Sequence, residues 1–171
     1  MSGIFGVVSE EDCVHDLFYG TDYHSHLGKK IGGMAVFDGK KFHNEIKAID
    51  IYPFRPQLDK FRLGVSGKQG IGVIGDYEPQ PLILGSPLGD YAIAHVGKVN
   101  NLDALVLAAY NRKDHFNEMS LGEVNPTELI STLINQGKSY VDGIEIMQNN
   151  IKGSSSIMLL TREGVYVGRD K

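Results

Sequence analysis

The chain has 171 residues, 42% hydrophobic and 22% charged, with 21 glycines and 17 basic against 21 acidic side chains for a formal charge of −4; this suits one ordinary globular domain rich in strands and turns. No basic run or basic patch interleaved with aromatics is present, which excludes an electrostatic footprint for nucleic acid. No apolar stretch approaches the roughly 20 residues that span a bilayer, and the N-terminus lacks the features of a signal peptide, so no membrane partner and a cytoplasmic location are expected.

Ile4 to Val8 is a β-branched and aromatic run bounded by glycines and predicts a buried strand. Asp12 to about Tyr19 predicts a helix, with Val14, Leu17 and Phe18 at helical spacing and Asp12 as its N-cap. The single cysteine, Cys13, lies in that helix beside Val14 and Leu17 and reads as a small buried hydrophobe. With no second cysteine, an intramolecular disulfide is excluded and a thiolate zinc site has no ligands. Gly32 to Phe37 and Phe42 to Ile51 predict two strands around Asp38-Gly39-Lys40. The segment holding Pro53, Pro56 and Gly67 is irregular, with one short helix near Leu58 to Leu63.

Ile71 to Ile74 and Tyr91 to His95 predict strands, separated by Glu78-Pro79-Gln80-Pro81, which cannot lie in a central strand. Leu102, Leu105, Val106 and Ala109 follow the i, i+3, i+4, i+7 rule and predict a helix from about Asn101 to Asn111. A second helix starts after Asn125, where Asn as cap, Pro126 at the first helical position and Glu128 three residues after the cap resemble a capping box. Ser139 to Met147 predicts a third helix. Ser156 to Leu160 and Val165 to Gly168 close the chain as strands around a turn at Arg162 to Gly164. Without strict strand-helix alternation, the fold class is α+β with mainly antiparallel sheet.

Taken together, six segments resemble the glutaminase domain of the amidophosphoribosyltransferase branch of the class II, N-terminal nucleophile glutamine amidotransferases. They are Ser2-Gly3-Ile4-Phe5-Gly6, Gly32-Gly33-Met34-Ala35, Gln80-Pro81, His95 to Asn101, Pro126-Thr127-Glu128 and Gly168-Arg169-Asp170. Their order and approximate spacing follow the family over essentially the whole chain. The resemblance implies a four-layer αββα sandwich of two mainly antiparallel sheets, with no cofactor. It also implies a phosphoribosyltransferase partner, as a following domain absent from this chain or as a separate chain, and a homo-oligomer.

Hydrolysis of a glutamine amide needs a nucleophile, a base, donors for the tetrahedral oxyanion and groups that clamp the substrate's carboxylate and ammonium. The resemblance places the nucleophile at Ser2, where the family has cysteine. A hydroxyl is far less acidic than a thiol, and the α-amine of residue 2 can act as base only once Met1 is removed. The family's oxyanion donors are an asparagine side chain and the following glycine N–H. Here Val96 replaces the asparagine, Gly97 keeps the backbone half, and Lys98 replaces the next family asparagine. The position of the carboxylate-clamping arginine is Gly75, and that of the ammonium-binding aspartate is Pro126, which also reads as a helix-start residue. The ligand cleft is expected between Ser2, Gly97 and Thr127.

Ser2, Val96, Gly75 and Pro126 thus depart from the family pattern in functions that act together, whereas Gly3, Gly33, Gly97 and Glu128, which shape backbone and helix start, are kept. Three readings remain open at this stage. The chain is a regulatory, structural or ligand-sensing domain with degraded glutamine chemistry, or an N-terminal serine amidohydrolase acting on an amide other than glutamine, or a pure assembly module; a small-molecule amide or amino acid is the expected class of ligand. His15, His24, His26 and His43 lack carboxylate or cysteine companions at recognised ligand spacing, so no metal site is assigned.

Overall fold

A computed structural model describes residues 2–120 and 122–170. Ten strands and five helices follow in the order β1 (Gly3–Val8), α1 (Val14–Tyr23), β2 (Ile31–Phe37), β3 (Phe42–Ala48), α2 (Phe54–Gly64), β4 (Gln69–Gly75), β5 (Leu82–Leu84), β6 (Tyr91–Val99), α3 (Leu102–Asn111), β7 (Met119–Ser120), β8 (Glu123–Val124), α4 (Pro126–Ile134), α5 (Tyr140–Asn150), β9 (Gly153–Leu160) and β10 (Val165–Arg169), with one 3₁₀ turn at His24–His26. Two four-stranded sheets, ordered β1-β4-β2-β3 and β10-β9-β6-β5, carry the fold, and β7 and β8 pair separately. Every strand pair in the described residues is antiparallel.

Side-chain alternation sorts the core into three layers. Val14, Leu17 and Phe18 of α1 and Phe54 and Leu58 of α2 pack with Met34, Val36 and Ile74 on the outer face of the first sheet. Ala35, Ile71 and Val73 meet Ala92, Ala94 and Leu160 between the sheets. Ile130, Leu133 and Ile134 of α4 and Met147 of α5 cover Tyr91, Ile93, Ile157 and Leu159 on the far face of the second sheet. The expected αββα sandwich is therefore the observed one.

Small residues set how closely the layers approach. On β2, a Cβ at Gly32 would lie 2.6 Å from the Phe54 ring, whereas a Cβ at Gly33 would lie 2.7 Å from Pro81 Cδ and collide with the Gln80 carbonyl. Neighbouring glycines thus admit an aromatic ring on one face and main chain on the other. Gly20 sits inside α1 for the same reason, since a Cβ there would overlap the Phe5 ring. That packing carries α1 on to Tyr23, past the expected end at Tyr19.

Other boundaries also moved. Asp12 accepts the Val14 N–H at 3.0 Å, but the cap position itself is Cys13. Helix α2 begins at Phe54 rather than Leu58, with Pro56 in the first turn, where a missing N–H breaks no intrahelical bond. Strand β3 ends at Ala48, three residues before the expected Ile51. Strands β5, β7 and β8 were not anticipated.

Cys13 is fully buried, and burial, reinforced by the neighbouring Asp12 charge, pushes its thiol up to about 11. The native protein should therefore react negligibly with a disulfide reagent at mildly alkaline pH and fully after denaturation, which thiol titration reads directly. Gly33→Ala should destabilise the domain by about 1–3 kcal/mol through overpacking, measured as a lower urea midpoint.

Candidate functional site

Chain order puts the start of β1 beside the end of β4, because Gly3 pairs with Ile74. Ser2 is half-buried there, and a Cβ built on Gly75 would lie 3.3 Å from Ser2 Oγ. The positions expected for the nucleophile and for a carboxylate-clamping guanidinium are thus direct neighbours, and no side chain projects from residue 75. Ile4 and Val73, two positions inward, belong to the layer between the sheets, as does Val96. Ser2, Gly75 and Val96 therefore face the same layer.

Over the outer side of this strand end lies the turn from His24 to Gly28. A Cβ at Gly3 would come within 2.9 Å of the His24 ring, and one at Gly28 within 2.9 Å of the Gly75 nitrogen. Asp76 Oδ1 accepts the Lys29 N–H at 2.7 Å and anchors the far end of the turn. This segment carries no catalytic assignment in the sequence, yet it walls the Ser2 region. Gly3 and Gly28 are what let the turn come this close to the strand end.

The stretch expected to hold the oxyanion donors is organised by a side chain rather than by a strand. Gln80 Nε2 donates to the His95 carbonyl at 2.8 Å, and the His95 N–H donates to Gln80 Oε1 at 2.7 Å. Both main-chain groups of His95 thus point towards Gln80 and away from β9. In an antiparallel ladder, alternate residues bond to the same neighbour. Tyr91 and Ile93 therefore meet β5 backbone, His95 meets the Gln80 amide, and Gly97 comes next on that edge with no strand opposite. Gly97 is exposed, so its N–H is the first open donor beyond the end of β5.

Glycine is required at this point. Its φ is +145°, and a Cβ would collide with the Ser154 carbonyl. The next residue turns back towards β9, where the Lys98 N–H donates to Ser154 Oγ at 3.2 Å, and Lys98 itself is exposed.

Thr127 lies on the other face of the second sheet. It is fully buried, its N–H donates to the Asn125 side chain at 2.9 Å, and its hydroxyl is 3.3 Å from Gln80 Oε1 and 3.5 Å from Glu78 Oε1. His95 Nδ1 is 3.4 Å from Glu78 Oε1, while His95 Nε2 is buried without a hydrogen-bond partner. Thr127 therefore belongs to a buried polar cluster beneath β6, whereas Ser2, Gly75 and Val96 face the layer between the sheets. Pro126 is half-buried at the first position of α4, as its helix-start reading implies. Glu128 makes no reciprocal capping bond; its carboxylate accepts the N–H groups of Asn117 and Glu118 at 2.9 and 2.8 Å.

Most histidines have ordinary partners. His43 Nε2 meets Asp38 at 2.7 Å, His26 Nδ1 meets the Tyr23 carbonyl at 2.7 Å, and His15 Nδ1 lies 3.2 Å from Arg62. Among the described residues, no group of three His, Cys, Asp or Glu side chains could hold a metal ion, and no helix is long and apolar enough to cross a membrane.

Comparison with solved structures decides the fold family. The glutamine phosphoribosylpyrophosphate amidotransferase of B. subtilis, solved with ADP and GMP, superposes with a TM-score of 0.81 over 95% of this chain and 35% of its own, at 22% identity. A structure described as the allosteric regulatory enzyme of purine biosynthesis superposes equally well, over 36% of its chain. This chain has the N-terminal nucleophile fold of the glutaminase part of those enzymes. In sequence, this domain is 27% identical to the amidophosphoribosyltransferase of Methanocaldococcus jannaschii over 99% of the chain and 38% of that protein. It is 23% identical to the Synechocystis enzyme over 98% of the chain and 35% of that protein. The chain thus spans little more than a third of the length of the curated relatives it matches. No protein-family profile matches it.

Two measurements test this geometry. Gln80→Leu strands a buried N–H and a buried carbonyl on His95 and should cost about 2–4 kcal/mol, with faster amide hydrogen exchange at the end of β6. His24 is held below the ordinary imidazole value, first by burial and then by the nearby His26. The unfolded chain therefore binds this proton before the native one does, so stability drops as pH falls below about 6.5. His24→Gln should shrink that drop in urea titrations.

Proposed function

We propose that this domain has lost, or retains only in strongly impaired form, the hydrolysis of glutamine, and that it serves a regulatory or structural role beside a phosphoribosyltransferase domain or chain in a purine-biosynthetic type of assembly. The observation that carries this reading is the bare Cα of Gly75 against Ser2 Oγ. A substrate carboxylate reaching this strand end meets neither a guanidinium fork nor any side chain from residue 75. Val96 removes the side-chain half of an oxyanion hole, and the loss of one such donor typically costs about 10²–10³ in turnover. Ser2 exchanges a thiol for a hydroxyl that needs a base, and Pro126 offers no charge for an ammonium group.

A second reading rests on a different observation. The Gly97 N–H is open and Ser2 keeps a nucleophilic atom, so an N-terminal serine amidohydrolase for an amide other than glutamine would find half of its machinery in place. That enzyme requires Ser2 to be the first residue. N-terminal mass spectrometry of protein taken from cells separates the two, because quantitative retention of Met1 sinks the amidohydrolase.

The main reading is tested by ammonia release from glutamine, using protein whose first residue is Ser2. We expect turnover at least about 10²-fold below that of an intact amidotransferase assayed alongside. The combined Ser2→Cys, Gly75→Arg, Val96→Asn and Pro126→Asp variant should recover part of it. A wild-type rate equal to that of the intact enzyme would overturn the proposal.

A further inference from the structure

We propose that the open edge of β5 is a docking site for an extended, lysine- or arginine-bearing segment of a partner protein, which adds to the second sheet as a fifth strand. This inference is independent of the glutamine-pocket reading.

The ladder fixes which backbone groups are free. Leu82 and Leu84 pair with Ile93 and Tyr91, whose main-chain groups point the same way as those of His95, towards β5. The main-chain groups of Leu82 and Leu84 are therefore turned inward, and those of Pro81 and Ile83 outward. Pro81 bears this out, since its carbonyl accepts from Asn44 Nδ2 of β3 at 2.9 Å. Ile83 comes next, with both its N–H and its carbonyl on an edge that no described strand covers, and the residue is 37% exposed. An uncovered edge of this kind is a template for strand addition.

The space beside that edge is large and firmly built. A cavity of about 760 Å³ runs between β5, Asn44 and Ile46 of β3, the exposed side of α4 at Thr132 and Asn135, and the loop from Asp114 to Glu118. Glu128, only 4% exposed, pins that loop through the Asn117 and Glu118 N–H groups. Glu128 therefore fixes one wall of the groove.

Charge selects the occupant. Asp114, Glu118 and Glu128 line the groove, and among the described residues no lysine or arginine does. The Glu128 carboxylate is saturated by backbone donors and Asp114 already accepts from Arg112 at 2.9 Å, which leaves Glu118 as the open rim carboxylate. A strand lying along β5 directs alternate side chains outward along this rim, where a basic group meets Glu118 and an acidic one is repelled.

The probe is a fluorescein-labelled hexapeptide of alternating valine and lysine, followed by anisotropy. We expect saturable binding to the whole protein, about tenfold weaker binding by Ile83→Pro, and weaker binding by Glu118→Gln. Proline suits an edge position whose N–H faces outward, so it removes one docking bond without touching the β5–β6 ladder. A peptide methylated on alternate amide nitrogens should not bind, nor should the alternating valine and glutamate peptide. The methylated peptide decides the matter if Ile83→Pro fails to fold. No binding of the lysine peptide, equal binding of the methylated one, or full displacement by spermidine would overturn strand addition. A dimer of this chain that Ile83→Pro abolishes would overturn the choice of partner.

Discussion

One amide group holds the two halves of the site region in register. Where β5 gives way to Pro81, β6 still has two main-chain groups at His95 that are buried and must be bonded, and the Gln80 side chain bonds both. Buried donors and acceptors left open each cost on the order of 1–3 kcal/mol, so this clamp decides how far β6 stays in the sheet and where it emerges. The same Gln80 lies against Gly33 on one side and the Thr127 hydroxyl on the other. Sheet, opposing sheet and helix α4 are referenced to one residue.

Beyond that clamp the chain uses two different materials. Backbone features survive because packing demands them: Gly97 cannot accept a Cβ beside Ser154, and Gly3 cannot accept one beside His24. Residue 75 is different: it is buried in β4, yet an added Cβ would meet only the Ser2 side chain, with Oγ at 3.3 Å.

Much of the layer architecture was legible in the sequence. Strands β1, β2 and β4 are glycine-rich runs of apolar residues, helices α3 and α4 carry clear periodicity, and Asn125-Pro126 marks a helix start by its chemistry. The three-residue β5 leaves no periodic trace after the prolines around Gln80, and β7 and β8 are two residues each. Glu128 matched a capping box in spacing, because sequence cannot distinguish a carboxylate that folds back on its own helix from one that reaches out to a neighbouring loop. The adjacency of Ser2 and Gly75 is a product of β1–β4 pairing across some 70 residues. Only the family resemblance made those two positions worth comparing beforehand.

The positive φ of Gly97 bears on the history open to this protein. A hydrogen-bond donor supplied by main chain cannot be erased by ordinary substitution at its own position, because any side chain there collides with β9. Under the proposed reading, loss of function went through residues that mutation can restore one at a time, and it left in place the component hardest to reinvent. Under that reading, restoring the chemistry is a matter of side chains alone, because the main-chain geometry that holds the Gly97 donor is already fixed by its packing against Ser154.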